Sequence, residues 1–134
     1  MSTKRLTKQD IQTASGILNP VGHVVLAFKD DSTAADAVKS LLDAGLAHED
    51  ILLYTAAEAT PRLRERVRSS SESAGFGYEI TLMRRYLSLA EEGAGWLIVY
   101  SPSDTVANHI ADVAISHTAL CAVRYHRLAT EDLI

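Results

Sequence analysis

A strand–helix–strand pattern that occurs twice is the sequence feature that most constrains the fold. The first copy occupies residues 22–55 and the second 95–134. In each copy a short apolar run precedes capping side chains and an amphipathic helical pattern, and a second apolar run closes the unit. A shift of 73 positions places Gly22 on Gly95 and Asp31 on Asp104 without a gap. We interpret the pattern as an internal duplication of a βαβ unit.

Two βαβ units in tandem favour one four-stranded antiparallel sheet with two helices on one face. The two parallel strands of each unit leave a gap between them, and a strand of the other unit fills it. This arrangement is the ferredoxin-like α+β sandwich. The alternative is a small doubly wound α/β fold with a parallel sheet and helices on both faces, in which a helix over 80–92 is the crossover. We predict the first arrangement.

The 134 residues, 47% of them hydrophobic, fit a single domain with a core that needs neither metal nor disulfide. In the first part of the chain, Thr7 and Asp10 predict a capped short helix. We divide the domain into four segments, namely an N-terminal arm (1–20), the first βαβ unit (22–55), a helical insertion (56–93) and the second βαβ unit (95–134).

The insertion between the two units is polar. Thr60 predicts an N-cap, Pro61 a first helical residue, and 62–68 a helix whose apolar stripe is narrow. We therefore expect this helix at the rim of the sheet. The serine- and glycine-containing stretch 69–77 predicts a flexible loop, and 80–92 a second helix.

The order of glycine, apolar strand, capped alanine-rich helix ending in glycine, and short strand, present twice around a variable middle, resembles the bacterial general-stress, heat-induced protein family. The closing segment 125–133, Tyr-His-Arg-Leu-Ala-Thr-Glu-Asp-Leu, is also similar. The resemblance covers about residues 21–133 and implies a stress-associated protein without settled catalytic residues. Many members carry a glycine-rich apolar helical hairpin in the middle, whereas 62–92 is polar and arginine-rich here, which argues against a membrane role.

The residues that usually carry catalysis or bind metal do not form a recognisable set. The five histidines lack the spacing of a helical zinc site. Cys121, the single cysteine, lies in an apolar strand, which predicts a buried, unreactive thiol. No Gly-x-Ser-x-Gly motif and no glycine-rich phosphate loop occurs. We therefore predict no enzyme activity, no metal site and no cofactor.

Arginine clustering is the strongest compositional anomaly. Six of the nine arginines lie within 62–85. The cluster is either a solvated helix rim, paired in part with nearby glutamates, or a binding site for an anion. If the two helices of the insertion fold against one another, four guanidinium groups converge on one small anionic ligand. These candidate ligand-binding residues are Arg62, Arg66, Arg84 and Arg85.

Charge and targeting signals limit the partners. The net charge of −4 disfavours nucleic acid, and the N-terminal residues contain no apolar block typical of a signal peptide or membrane span. We predict a cytoplasmic homodimer without nucleic-acid or membrane partners, because helices on one face leave the other face of the sheet to cover. The leading functional prediction is a non-catalytic stress-associated protein. The alternative is a regulatory domain that binds a small anionic ligand at the arginine-rich insertion.

Overall fold

A five-stranded antiparallel sheet organises the chain in the computed structural model, which describes residues 4–13, 18–71 and 77–134. The strands are β1 (His23–Phe28), β2 (Ile51–Tyr54), β3 (Gly95–Tyr100), β4 (Cys121–Tyr125) and β5 (Thr130–Asp132). The helices are α1 (Lys8–Thr13), α2 (Asp31–Asp43), α3 (Ala56–Ser71), α4 (Gly77–Glu91) and α5 (Asp104–Ser116). A 3₁₀ turn at His48–Asp50 leads into β2.

The strand order is β2-β3-β1-β4-β5, and every neighbouring pair is antiparallel. The α+β class is therefore confirmed, and the doubly wound parallel alternative is wrong. The prediction of four strands missed β5, which pairs with β4 and extends the sheet by one short edge strand.

The register at the centre of the sheet relates the two βαβ units. Val25 in β1 is paired with Ile98 in β3, and these two residues are the same 73 positions apart as the two copies in sequence. Helices α2 and α5 have the same length and the same separation, with Asp31 and Asp104 as their first residues. The two units thus meet about an approximate two-fold axis at the Val25–Ile98 pair.

Local signals define the ends of several elements as expected. Asp30 caps α2 by accepting from the Thr33 N–H at 2.8 Å, and Ser103 caps α5. Thr7 and Asp10 exchange hydrogen bonds at the start of α1. These contacts satisfy backbone groups that a helix terminus leaves unpaired. Strand β1 is buried along its whole length, as the apolar run predicts.

Helices cover both faces of the sheet. On one face α2 and α5 pack on alternate strand residues that include Leu26 and Val99. On the other face the core contains residues of α1, α3 and α4 together with strand residues, listed as Ile11, Ala59, Leu63, Leu82, Tyr86, Ala90, Val25, Trp96, Ile98, Cys121 and Val123. The expectation of helices on one face only is wrong, because the insertion lies on the second face rather than at the rim.

Helix α3 begins five residues earlier than the proline suggested. The Thr55 hydroxyl accepts from the Glu58 N–H at 3.1 Å, and the Glu58 carboxylate accepts from the Thr55 N–H at 3.0 Å. This reciprocal capping box starts the helix at Ala56 and leaves Pro61 inside it. The loop predicted over 69–77 is wrong at both ends, because α3 continues to Ser71 and α4 begins at Gly77; residues 72–76 lie outside the described part.

Candidate functional site

Arg62 and Arg66 lie one turn apart on α3 and line the same cavity. Arg62 Nη1 donates to the Glu58 carbonyl at 3.0 Å. Arg66 Nη2 donates to the Ile11 carbonyl at 2.7 Å, in the last turn of α1, where helix carbonyls lack partners within the helix. The structure therefore brings two of the four candidate arginines together.

The other two candidate arginines lie elsewhere. Arg84 and Arg85 are exposed on α4, whose buried side includes Met83 and Tyr86. Arg85 Nη2 donates to the Leu120 carbonyl at 3.3 Å, next to the start of β4. Neither residue lines the cavity. Helices α3 and α4 do pack together. Residues 84 and 85 lie on the exposed side of α4, however, so they do not join Arg62 and Arg66 at the cavity.

Two further arginines of the cluster form surface ion pairs. Arg64 Nη2 lies 3.1 Å from the Glu91 carboxylate, and Arg68 pairs with Glu65. All four side chains are about half exposed or more. Exposed pairs of this kind contribute about 0–1 kcal/mol. Their geometry is typical of the solvated helix surface that was the alternative interpretation of the cluster.

The cavity lies between α1, α3 and the second face of the sheet. Its volume is about 50 Å³, which is enough to admit a small molecule such as water. The lining is apolar apart from two arginines, two tyrosines and a tryptophan, and consists of Ile11, Leu18, Val25, Tyr54, Ala59, Arg62, Leu63, Arg66, Tyr86, Trp96 and Ile98.

Two buried hydrogen-bonding groups belong to residues that line this cavity. Tyr54 and Trp96 are directly opposite one another on β2 and β3, so their side chains share one face of the sheet. They are 6% and 4% exposed. Within the described part of the chain, neither the Tyr54 hydroxyl nor the Trp96 Nε1 has a hydrogen-bond partner. Leaving such a group buried without any partner costs about 1–3 kcal/mol.

Positive charge surrounds Tyr54. Lys8 Nζ lies 4.6 Å from the centre of the Tyr54 ring and 3.6 Å from the Glu58 carboxylate. Burial raises the pKa of the Tyr54 hydroxyl, and the nearby Arg62 and Arg66 charges oppose that rise. The hydroxyl therefore stays protonated at neutral pH and can donate. Among the described residues, three cations and one carboxylate act on this ring.

Arg66 is a half-buried cation. Burial lowers the pKa of its guanidinium, because the charge loses hydration, and the like charge of Arg62 acts in the same direction. An arginine still keeps its proton at neutral pH. Two like charges beside an apolar cavity favour an anion there.

The first described segment of the N-terminal arm, residues 4–13, closes one side of the cavity. Ile11 is buried in the core of the second face and lines the cavity. The Leu6 N–H donates to His23 Nε2 at 3.1 Å, and Arg5 Nη1 lies 3.1 Å from the Asp50 carboxylate. The arm is thus attached at both ends, by His23 near Leu6 and by Arg66 at Ile11.

Sequence reasoning missed Tyr54, Trp96 and His23. Each lies in or at the end of a strand that was predicted correctly, but its face depends on the register between strands. Alternation along β3 places Trp96 and Ile98 on one face. The sequence does not indicate which residue of β2 lies opposite Trp96. The position of the Tyr54 and Trp96 polar groups on one face of the sheet follows from the register between β2 and β3.

Among the residues that the structure describes, the remaining reactive side chains do not cluster into a second site. Cys121 is 4% exposed, and burial raises the pKa of its thiol to about 11. Tyr86 and Tyr125 hydroxyl oxygens lie 2.8 Å apart in the core. In the described ranges, no group of three or more His, Cys, Asp or Glu side chains is placed to hold a metal ion.

Comparisons with known proteins give no relative: no protein-family model, no curated protein and no solved structure matches the chain. None of the helices in the described residues has both the length and the apolar character needed to cross a membrane.

Proposed function

We propose that the chain is a non-catalytic domain that binds a small anionic ligand at the mouth of the cavity, through Arg62 and Arg66. The observation that carries this proposal is that Arg62 and Arg66, one turn apart on α3, are both among the residues that line an apolar cavity. Hydrogen bonds from arginine to a carboxylate or phosphate are charge-assisted and about twice as strong as neutral ones.

The composition of the cavity favours binding over catalysis. The residues of its described lining include two arginines, but no Asp, Glu, His or Cys that would serve as a general base or nucleophile. A ligand held there meets charge complementarity and apolar contact, without a group to take a proton from it.

Calorimetric titration and thermal shift with acetate, pentanoate and inorganic phosphate test the proposal. A ligand that binds only the folded protein raises its melting temperature. Arg62→Ala should weaken saturable binding about tenfold, corresponding to the loss of a charge-assisted hydrogen bond. Arg64→Ala is the matched control, because Arg64 lies on the same helix in an exposed ion pair. Absence of saturable binding by all three anions, or equal loss in both variants, contradicts the proposal.

The stress-associated role, the cytoplasmic location and the ferredoxin-like assignment also stay proposals. The order β2-β3-β1-β4, with α2 and α5 on one face, supports the ferredoxin-like assignment.

We also propose a homodimer, but through an edge of the sheet rather than through an uncovered face. Because helices cover both faces, the free sheet surface is at the edges, and the apolar edge strand β2 suits pairing better than β5, which carries Glu131 and Asp132.

A further inference from the structure

We infer that residues 4–13 of the N-terminal arm form an autoinhibitory strap, which competes with an anion for Arg66 and is released when His23 takes up a proton. This inference rests on the proposed function, since it takes Arg66 to be part of the anion site. It adds how that site is regulated. The structure shows the strap in its closed position, attached to both residues.

The contact between the strap and Arg66 uses donors that an anion needs. Arg66 Nη2 donates to the Ile11 carbonyl at 2.7 Å. A guanidinium binds a carboxylate or phosphate through one of two edges, and Nη2 belongs to both, paired with Nε in one and with Nη1 in the other. The Ile11 oxygen therefore occupies part of this donor set, and its partial negative charge repels an anion beside it. An anion gains the whole guanidinium only when the strap moves away.

Few contacts hold the strap closed. Ile11 is the one buried residue of the segment 4–13. Lys8 Nζ lies 3.6 Å from the Glu58 carboxylate, but both side chains are close to half exposed, and such pairs add little. The buried Ile11 side chain and the hydrogen bonds to Arg66 and His23 therefore provide most of the attachment. A short segment with so few contacts opens at a lower cost than the whole domain unfolds.

The contact with His23 makes the strap sensitive to acid. His23 Nε2 accepts from the Leu6 N–H at 3.1 Å, and Nδ1 lies 3.0 Å from the Val21 carbonyl. A protonated imidazole donates from both nitrogens. Protonation therefore sets two N–H groups against each other at Leu6 and removes this attachment.

Four described residues supply the other groups around the imidazole. The Asp50 charge, in the 3₁₀ turn, favours the protonated form of His23. Arg5 of the strap lies 3.1 Å from that carboxylate. On the β3 side the Tyr100 ring centre is 5.2 Å from the imidazole, and on the β4 side Tyr125 follows the last residue that pairs with β1. The one carboxylate in this set thus assists release in acid.

Protonation of one histidine limits how far the site can be activated. In the released state the imidazole has its ordinary pKa of about 6.5, whereas burial keeps the pKa of His23 lower in the closed state. The ratio of released to closed strap therefore rises by at most about 25-fold from pH 7 to pH 5. While the closed strap predominates, the affinity for an anion rises by the same factor.

Sulfate is the probe for the experiment, because it carries the same charge at pH 5 and pH 7. Calorimetry at constant ionic strength should show binding that is about fivefold to 25-fold tighter at pH 5. His23→Gln should lose this gain, since the amide oxygen accepts from the Leu6 N–H without titrating. His126→Gln is the matched control, because it alters an exposed histidine and should keep the gain.

Two further measurements test the competition itself. Because coupling between two sites is reciprocal, saturating sulfate at pH 7 should lower the protection of the Leu6 amide against hydrogen exchange. Ile11→Ala should loosen the strap and bind sulfate more tightly at pH 7 than the unaltered protein does. Ile115→Ala, the same substitution at a side chain that is 64% exposed, should not. If Ile11→Ala does not fold, the sulfate and exchange measurements on the unaltered protein decide the inference.

The outcomes separate this inference from the proposed function. If sulfate binds equally at both pH values, or if His23→Gln keeps the gain, the regulation by His23 is wrong and the anion site stands. If sulfate leaves the protection of Leu6 unchanged or raises it, the strap does not compete, and the inference is again wrong while the site stands. If no anion binds at either pH although acid lowers the protection of Leu6, the proposed anion site is overturned, and competition for it as well.

Discussion

His23 holds the backbone of Leu6: its Nε2 accepts from the Leu6 N–H at 3.1 Å, while its Nδ1 lies 3.0 Å from the Val21 carbonyl. Both contacts are satisfied only by the neutral imidazole with its proton on Nδ1. A protonated His23 has no lone pair for Leu6. The attachment of the N-terminal arm therefore depends on the charge of a histidine that is almost fully buried.

Acidification should detach the N-terminal arm. Burial lowers the pKa of His23 below its ordinary 6.5, although the Val21 carbonyl and the Asp50 charge act in the opposite direction. The unfolded chain thus takes up the proton first. The stabilisation is complete above about pH 6.5 and is lost as the pH falls through the folded-state pKa. The protection factor of the Leu6 amide, which is the intrinsic exchange rate at each pH divided by the observed rate, should fall from pH 7 to pH 5.

The pH prediction has an internal control. A variant with His126→Gln alters an exposed histidine and should keep the pH dependence of Leu6 exchange. His23→Gln should make the protection factor of Leu6 independent of pH over this range. Protection of Leu6 that is the same at pH 5 and pH 7 in the unaltered protein would falsify the prediction.

Removing the Arg66 side chain should weaken the other end of the arm. Arg66→Ala leaves the Ile11 carbonyl without this donor, and hydrogen bonds from charged groups are worth about 1.5–3 kcal/mol. We expect a lower free energy of unfolding in urea and faster amide exchange around Ile11. Arg64→Ala, at an exposed site, should change the unfolding energy by less than about 0.5 kcal/mol. Equal stability of the two variants contradicts this role.

Cys121 should react slowly with Ellman's reagent in the native protein. Burial raises the pKa of the thiol from 9.0 to about 11, against a smaller opposing effect of the Arg85 charge. At pH 8 the reactive thiolate is then about a hundredfold less abundant than in a free thiol, and access is restricted as well. Denaturant should restore rapid labelling. Immediate stoichiometric labelling of the folded chain would show that the strand opens or that the thiol is exposed.

Substitution of Gly95 should destabilise the fold. A β-carbon built there lies 2.8 Å from the Asp30 carbonyl oxygen and 2.9 Å from the Ala34 β-carbon. Both neighbours belong to the start of α2, which packs closely on β3. Gly95→Ala therefore forces a shift that costs about 1–3 kcal/mol. The urea midpoint should fall without a change in slope. An unchanged midpoint means that α2 moves away freely.

Light scattering should give a mass about twice 14.5 kDa if the protein is a dimer. If pairing uses the edge strand β2, Leu52→Lys should yield a monomer, because a charge on an edge strand opposes pairing with a second chain. Glu131→Lys on β5 is the control at the other edge and should stay dimeric. A mass of one chain at all concentrations removes the homodimer from the proposals.

Local sequence signals predicted the elements that depend on near neighbours. The capped helices after Asp30 and Ser103 and the buried strand β1 are confirmed because their determinants lie within a few residues. The start of α3 was readable too, from Thr55 and Glu58, but the proline preference for the first helical turn pointed to a later start.

The site required long-range information. Arg62 and Arg66 share a face by helical spacing alone, and the structure places both on the cavity. Whether Arg84 and Arg85 join them depends on how α4 rotates on the sheet, which periodicity within one helix does not determine. The pairing of Tyr54 with Trp96 depends on the register between β2 and β3. The apolar pattern of two such short strands is compatible with more than one register.

The approximate two-fold relation about Val25 and Ile98 has a consequence for binding stoichiometry. The duplicated segments supply the central strands and the pair α2 and α5, whereas α1 and α3, which carry Ile11, Arg62 and Arg66 into the cavity, occur once. A titration should therefore saturate at one ligand for each chain and follow a simple hyperbola. A sigmoidal response would point to contacts between chains, since the described part of the chain repeats the scaffold but not the residues that line this cavity.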